Sequence, residues 1–161
     1  MKILRSKSAV SAAFALSLLA CIGFIPIAHA GPTKEAPSKA EMGRLQGEWS
    51  MVMGERGGQK LPDAIVSTGK RVAKGNNLTV TLGGQTFMKA TFTVNPSTKP
   101  KSIDYTITEG PDKGKKQLGI YEFKGDTVRF CSSIPGKARP AQFSTGAEDG
   151  RTLSTWKRVK K

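Results

Sequence analysis

The chain has 161 residues, a length for one domain, and carries 26 Lys and Arg against 12 Asp and Glu. Residues 1–30 have the form of a signal peptide, and without them 131 residues remain with a net charge of +11 and no histidine. The loss of His29 excludes a Ser-His-Asp triad, a His-ligated zinc and a His-bound haem. Cys131 is then the one cysteine left, which excludes an internal disulfide and a cysteine cage for a metal.

The first thirty residues show the three parts of a secretory signal peptide. A short basic segment precedes the apolar stretch 9–27, and Ala28-His29-Ala30 then matches the small-residue cleavage pattern. Cleavage is therefore expected between Ala30 and Gly31. The domain is predicted to be secreted or periplasmic, with no transmembrane segment after cleavage.

The alternative interpretation of the same segment is that it carries a lipid anchor. Leu18-Leu19-Ala20-Cys21 resembles a bacterial lipobox, in which lipidation of Cys21 would tether the protein to the envelope. Leu19 is bulky for its position, and the residues that follow Cys21 are apolar where a lipoprotein tether is usually polar. Soluble secretion is the preferred reading.

The rest of the chain has the pattern of an all-β domain. Residues 31–44 contain prolines and no periodicity, and they are predicted to be a flexible tether ahead of a domain at 45–161. Short apolar stretches then alternate with Gly, Pro, Asn and Asp, which is typical of a sandwich or barrel. One or two helical turns are expected over 62–67. Eight strands are predicted, at about 47–54, 69–74, 77–82, 86–94, 102–108, 117–124, 127–132 and 152–159.

The strands are predicted to form an antiparallel meander. Leu78, Val80 and Leu82 alternate with polar residues, so one face of that strand is apolar and the other is polar and faces solvent. Gly83-Gly84 and Gly125-Asp126 are two-residue hairpin signals. Most gaps are too short for parallel crossovers, and closure of the sheet would remove its exposed edges. The predicted fold is a single small antiparallel eight-stranded barrel.

An ordered set of motifs carries a family resemblance over residues 45–160. The motifs are Leu45-Gln46-Gly47-Glu48-Trp49, Gly58-Gln59-Lys60-Leu61-Pro62, Lys99-Pro100-Lys101-Ser102-Ile103-Asp104, Glu109-Gly110-Pro111, Gly119-Ile120-Tyr121-Glu122, Pro135-Gly136-Lys137 and Trp156-Lys157-Arg158. The first contains a G-x-W element similar to that of lipocalin-like barrels. Together they resemble a small secreted lipocalin-like domain family of unknown function that is abundant in planctomycete-type bacteria. The resemblance implies a lipocalin-like barrel in an extracytoplasmic, bacterial setting, and it carries over no catalytic residues.

The same resemblance implies a barrel-closing pair. In lipocalins the tryptophan of the G-x-W element stacks on a basic residue of the last strand, which here implies Trp49 and Arg158. Gly47 would let the first strand bend, and the Trp49 ring would plug the barrel end. In the alternative arrangement Trp156 is a second core aromatic and Arg158 lies in solvent.

No catalytic residue, metal site or cofactor is predicted. Asp104 and Glu122 fall on neighbouring predicted strands, where a carboxylate-based hydrolase would place its two acids. Lone carboxylates on strands are more often solvated or paired with Lys or Arg, and basic residues are abundant in this chain. We therefore expect a protein that is not an enzyme.

The expected function is that of a non-enzymatic binding or interaction module of unknown ligand, built on the barrel. An eight-stranded barrel is either filled by side chains or holds one small molecule, and the small number of hydrophobic residues here predicts little cavity. The candidate ligand-lining residues are Met51, Met53, Met88, Phe92, Tyr105 and Phe130.

Weak binding of acidic polymers by a cationic surface is the alternative function. The lysines that would serve it are Lys99, Lys101, Lys113, Lys115, Lys116, Lys157, Lys160 and Lys161. They are spread over several loops, and the aromatic residues that would stack on bases are needed in the core. Specific nucleic-acid binding is not expected, and the protein is predicted to be a monomer.

Overall fold

The computed structural model describes residues 35–160. The predicted signal peptide with Ala30, Gly31 and Cys21, and the start of the predicted tether, lie outside the described residues. Neither described helix has the length and apolar character needed to span a membrane. The elements in chain order are α1 (Glu35–Arg44), β1 (Gly47–Arg56), β2 (Gln59–Lys60), α2 (Asp63–Thr68), β3 (Lys70–Lys74), β4 (Asn77–Leu82), β5 (Gln85–Asn95), β6 (Lys101–Ile107), β7 (Lys116–Lys124), β8 (Thr127–Ser132) and β9 (Thr152–Arg158).

The strands form a closed antiparallel barrel. Each strand from β3 to β8 pairs with the next along the chain, and β1 closes the ring by pairing with both β3 and β9. The predicted all-β meander of eight strands is thus confirmed. The two-residue strand β2 is an addition on the far end of β1, and it is too short to produce a periodic sequence signal.

Tight glycine turns set the register of three hairpins. Gly75, Gly83 and Gly125 each begin a two-residue turn and have φ angles of +61°, +58° and +59°. A side chain would strain this left-handed backbone, which glycine adopts at little cost. The hairpins β3–β4, β4–β5 and β7–β8 therefore begin at defined residue pairs.

The predicted tether contains a helix that covers one end of the barrel. Residues 35–44 form α1. Met42 of this helix and the fully buried Leu45, which follows the helix, pack on the core. The helix has no amphipathic pattern of its own, so its stability comes from docking, which a reading of local periodicity does not detect. Residues 35–44 thus form a helix where the sequence predicted a flexible tether.

A second apolar cluster lies on the outside of the barrel wall. Ile120, Cys131 and Leu153 point outward from β7, β8 and β9, and Met53 and Phe143 pack on them. Phe143 belongs to the long connection between β8 and β9, which covers this patch from solvent. Burial raises the pKa of the Cys131 thiol, consistent with its place in an apolar cluster.

Candidate functional site

The end of the barrel beneath α1 is closed by aromatic and basic side chains. The Arg158 guanidinium carbon lies 4.1 Å from the centroid of the Trp49 ring, and the Trp49 indole N–H donates to the carbonyl of Leu45 at 3.1 Å. Arg158 also donates to the carbonyl of Gln46 at 2.8 Å. Trp156 is buried as well, so both tryptophans are core residues and Arg158 still stacks on Trp49.

A half-buried carboxylate links α1 to this closed end. Glu41 accepts hydrogen bonds from Lys101 at 2.9 Å, Tyr121 at 3.1 Å and Arg44 at 3.0 Å. Burial opposes ionisation of Glu41, but these donors outweigh it and hold the pKa of the carboxyl below its usual value. The carboxylate thus stabilises the folded state in its ionised form.

Replacing Glu41 with Gln is expected to lower the free energy of unfolding at pH 7 by about 1.5–3 kcal/mol, the range for hydrogen bonds to a charged group. Since the folded pKa is depressed, this stabilisation is present above the unfolded pKa near 4.5 and lost as pH falls through the folded pKa. Urea unfolding between pH 3 and 8 should show the wild type and the variant converging in acid.

Glu48→Gln is the matched control, because Glu48 makes an exposed ion pair with Lys70 at 2.9 Å. Such a pair contributes about 0–1 kcal/mol. A difference in the free energy of unfolding between the wild type and Glu41→Gln that stays constant down to pH 3 would contradict the proposed role of the Glu41 charge.

The opposite end of the barrel is hollow. A cavity of about 220 Å³ lies inside it, walled mainly by apolar side chains of the strands and of α2. Its apolar lining includes Met51, Leu61, Ile65, Val80, Leu82, Phe87, Met88, Phe130 and Trp156. Its polar lining includes Glu55, Arg56, Arg71, Tyr105, Gln117, Ser132, Thr152 and Ser154.

A wider vestibule adjoins this inner cavity. The vestibule has a volume of about 710 Å³ and shares Arg56, Phe87, Met88, Gln117 and Thr152 with the inner cavity. The Phe87 side chain is 59% exposed at this rim. The shared wall indicates that the inner cavity is reached from this end of the barrel.

Four of the six predicted lining residues lie on the cavity: Met51, Met88, Tyr105 and Phe130. Phe92 is buried beside it and contacts the Tyr105 ring at 6.5 Å between centroids. Met53 is placed differently from the prediction, in the outer cluster. A bulge in β1 aligns Met51 with Trp156 but Met53 with Thr155, so two residues expected on one face point to opposite faces.

Arg71 is a buried cation on the wall of the cavity. Its side chain is 3% exposed, and its Nη1 lies 3.5 Å from the Tyr105 hydroxyl, at the outer limit of a hydrogen bond. Its Nε and Nη2 have no hydrogen-bond partner, and no carboxylate of the described residues forms an ion pair with it. The guanidinium carbon lies 4.2 Å from the Phe130 ring centroid and 5.8 Å from that of Phe92.

The Tyr105 hydroxyl beside Arg71 is neutral. Burial raises its pKa above the usual value of 10, and the nearby Arg71 charge offsets only part of this effect. The Tyr105 hydroxyl also forms a hydrogen bond with the Ser132 side chain, so a ligand inside the barrel would meet the guanidinium and these two hydroxyl groups at one place.

Sequence reasoning missed Arg71, although one signal for it was present. In the strand Lys70–Lys74, Val72 is the apolar β-branched residue, and its type favours an inward side chain. Val72 is nevertheless 38% exposed. The two-residue turn after Lys74 pairs Arg71 with Val80 of β4, whose apolar face points inward. That register places Arg71 inside the barrel.

The two carboxylates of the hydrolase alternative do not form a pair. Asp104 is bound by Arg139 at 2.6 Å, and Glu122 by Arg129 at 2.5 Å. Asp104 lies opposite Leu118, and Glu122 is four residues further along β7, about 13 Å at 3.3 Å per residue. Glycosidase carboxylates are at most about 9.5 Å apart.

The surface lysines do not form one patch. Lys99 and Lys101 lie at the closed end near Tyr121, whereas Lys113 and Lys115 lie in the β6–β7 connection at the open end. Lys101, Lys115 and Lys157 form ion pairs with Glu41, Asp112 and Asp126 respectively. A continuous polymer track is therefore absent from these described lysines.

Comparison of the chain with family models, with curated proteins and with solved structures gave no match. The resemblance to the secreted lipocalin-like family, the bacterial source and the location outside the cytoplasm stay predictions.

Proposed function

We propose that the protein is a non-enzymatic binding module that holds a small, largely apolar molecule inside the barrel. The extracytoplasmic setting expected from its N-terminal sequence is part of this proposal. The observation that carries it is the apolar cavity of about 220 Å³ that adjoins an open vestibule. A cavity of about 150 Å³ is enough to bind benzene, so this one has room for an aromatic ring or a medium-length alkyl chain.

The arrangement of the core supports this function. An eight-stranded barrel of this size has enough interior side chains to fill itself, and at the closed end it does so with Trp49 and its neighbours. At the open end the wall includes small or flexible side chains such as Ser132, Ser154 and Met88, which leave the space unfilled. Methionine adapts to ligands of different shape.

The direct test measures binding of neutral apolar probes, from toluene to 1-octanol, by titration calorimetry and by tryptophan fluorescence, since Trp156 lines the cavity. Met88→Trp places a large ring where the cavity and vestibule meet, and we expect it to weaken binding by about tenfold or more. Val52→Trp is the matched control, because Val52 is 49% exposed on the outer face of β1.

We expect Val52→Trp to bind as the wild type does. Failure of every probe to bind the wild type would overturn the proposed function, and so would unchanged binding by Met88→Trp. Native mass spectrometry of the exported protein would then identify the natural ligand by the additional mass it retains.

A further inference from the structure

The buried charge of Arg71 has no counter-charge within the described protein. A guanidinium stays protonated at every physiological pH, so Arg71 cannot lose its charge to escape burial as a lysine can. A buried ion is costly unless it is paired and hydrogen-bonded. The rings of Phe130, Phe92 and Tyr105 provide only the weaker cation–π attraction. A bound anion would supply the pairing that the described residues do not give Arg71.

The free N–H groups of Arg71 indicate which anion fits. Nε and Nη2 have no partner, whereas Nη1 is turned towards the Tyr105 hydroxyl. Nε and Nη2 lie along one edge of the guanidinium plane, and that edge pairs side-on with the two oxygens of a carboxylate. The neutral Tyr105 hydroxyl is a further donor at the same place.

The position of Arg71 along the barrel indicates how the ligand is oriented. Arg71 lies opposite Trp49 in the β1–β3 register, towards the closed end. The cavity wall between Arg71 and the mouth is mainly apolar, with Leu82 and Phe87 flanking the hairpin at the rim. A ligand with its charged group inward would therefore place its apolar part along this wall.

The two other charged residues on the described lining of the cavity are one carboxylate and one guanidinium. Glu55 is the carboxylate; it pairs with the outward-facing Leu153 in the β1–β9 register and accepts a hydrogen bond from the Thr145 hydroxyl of the β8–β9 connection. Arg56 lies at the junction with the vestibule and adds a second positive charge at the mouth. Cationic groups at a cleft raise the local concentration of anions and speed their binding.

We propose that the ligand is an apolar carboxylate, of the size of an aromatic acid or a medium-chain fatty acid, and that Arg71 binds its carboxylate side-on at the inner end of the cavity. This inference rests on the proposed function, because it requires a ligand inside the barrel. Tyr105 is the second contact to the carboxylate, and the apolar wall holds the tail.

The test compares octanoate with 1-octanol, which share an alkyl chain and differ in charge. Titration calorimetry at pH 7.5 should show octanoate binding the wild type about tenfold or more tightly than 1-octanol. In Arg71→Met this preference should disappear. Lys74→Met removes the same charge from the same strand at an exposed position, and it should keep the preference.

Each outcome separates the inference from the function. Equal binding of octanoate and 1-octanol to the wild type would mean that water alone solvates Arg71, and it would overturn the inference while leaving the function intact. Preference for octanoate that persists in Arg71→Met would also overturn it. Octyl phosphate binding more tightly than octanoate would overturn the assignment of a carboxylate. If neither octanoate nor 1-octanol binds the wild type, the proposed function itself fails.

Discussion

Replacing Trp49 with alanine is expected to lower the free energy of unfolding by about 3–5 kcal/mol. The Trp49 side chain is 1% exposed, and its removal leaves a large void at the closed end of the barrel. It also removes the ring on which Arg158 stacks, and the indole hydrogen bond to Leu45 that holds the end of α1 against the barrel. The loss should be read from the midpoint of urea unfolding.

Two further variants separate the causes of that loss. Arg158→Met keeps the plug and removes the stacked cation, for which about 1–2 kcal/mol is expected. Phe87→Ala deletes an aromatic ring that is 59% exposed, and about 0.5 kcal/mol or less is expected. A Trp49→Ala protein as stable as the Phe87→Ala protein would show that Trp49 does not close the barrel.

Replacing Arg71 with methionine is expected to raise the stability of the ligand-free protein by about 1–4 kcal/mol, as when buried ions give way to apolar groups of similar size. The stacking on Phe130 and its neighbours contributes at most about 2 kcal/mol in favour of arginine. The cost of burying an unpaired ion is several kcal/mol and therefore prevails. Thermal and urea unfolding without ligand would measure the difference.

The sign of this change distinguishes a binding residue from a structural one. Lys74→Met, the exposed control on the same strand, should change stability by about 0.5 kcal/mol or less. Saturating octanoate should stabilise the wild type more than Arg71→Met, because only the folded wild type binds it well. A clear destabilisation by Arg71→Met would show that Arg71 is retained for the fold.

Local patterns were sufficient to locate the strands. The predicted β4 and β8 coincide with the observed ones, and the other six predicted strands differ by no more than two residues at either end. Alternation has a period of two, and paired glycines permit only certain turns, so both signals are contained within a few neighbouring residues. Because the gaps between the predicted strands are short, an antiparallel meander was the simplest topology, and the observed closed sheet has this strand order.

The faces of individual residues depended on longer-range geometry. Met51 and Met53 have the spacing of one face, but the bulge opposite β9 turns Met53 outward. Val72 is apolar and exposed, whereas its polar neighbour Arg71 is buried. In both cases the pairing register with another strand decides the outcome, and a strand's own composition does not contain that register.

The sequence by itself determined a basic, all-β chain with a tryptophan at the start of its first strand and glycine turns between its strands. Only the tertiary structure placed α1 over the closed end, the β8–β9 connection over Cys131, and Arg71 beside an unfilled cavity. These features arise from contacts between residues far apart in the chain. These features are stabilised by burial in the assembled barrel, and they therefore have no periodic pattern in the local sequence.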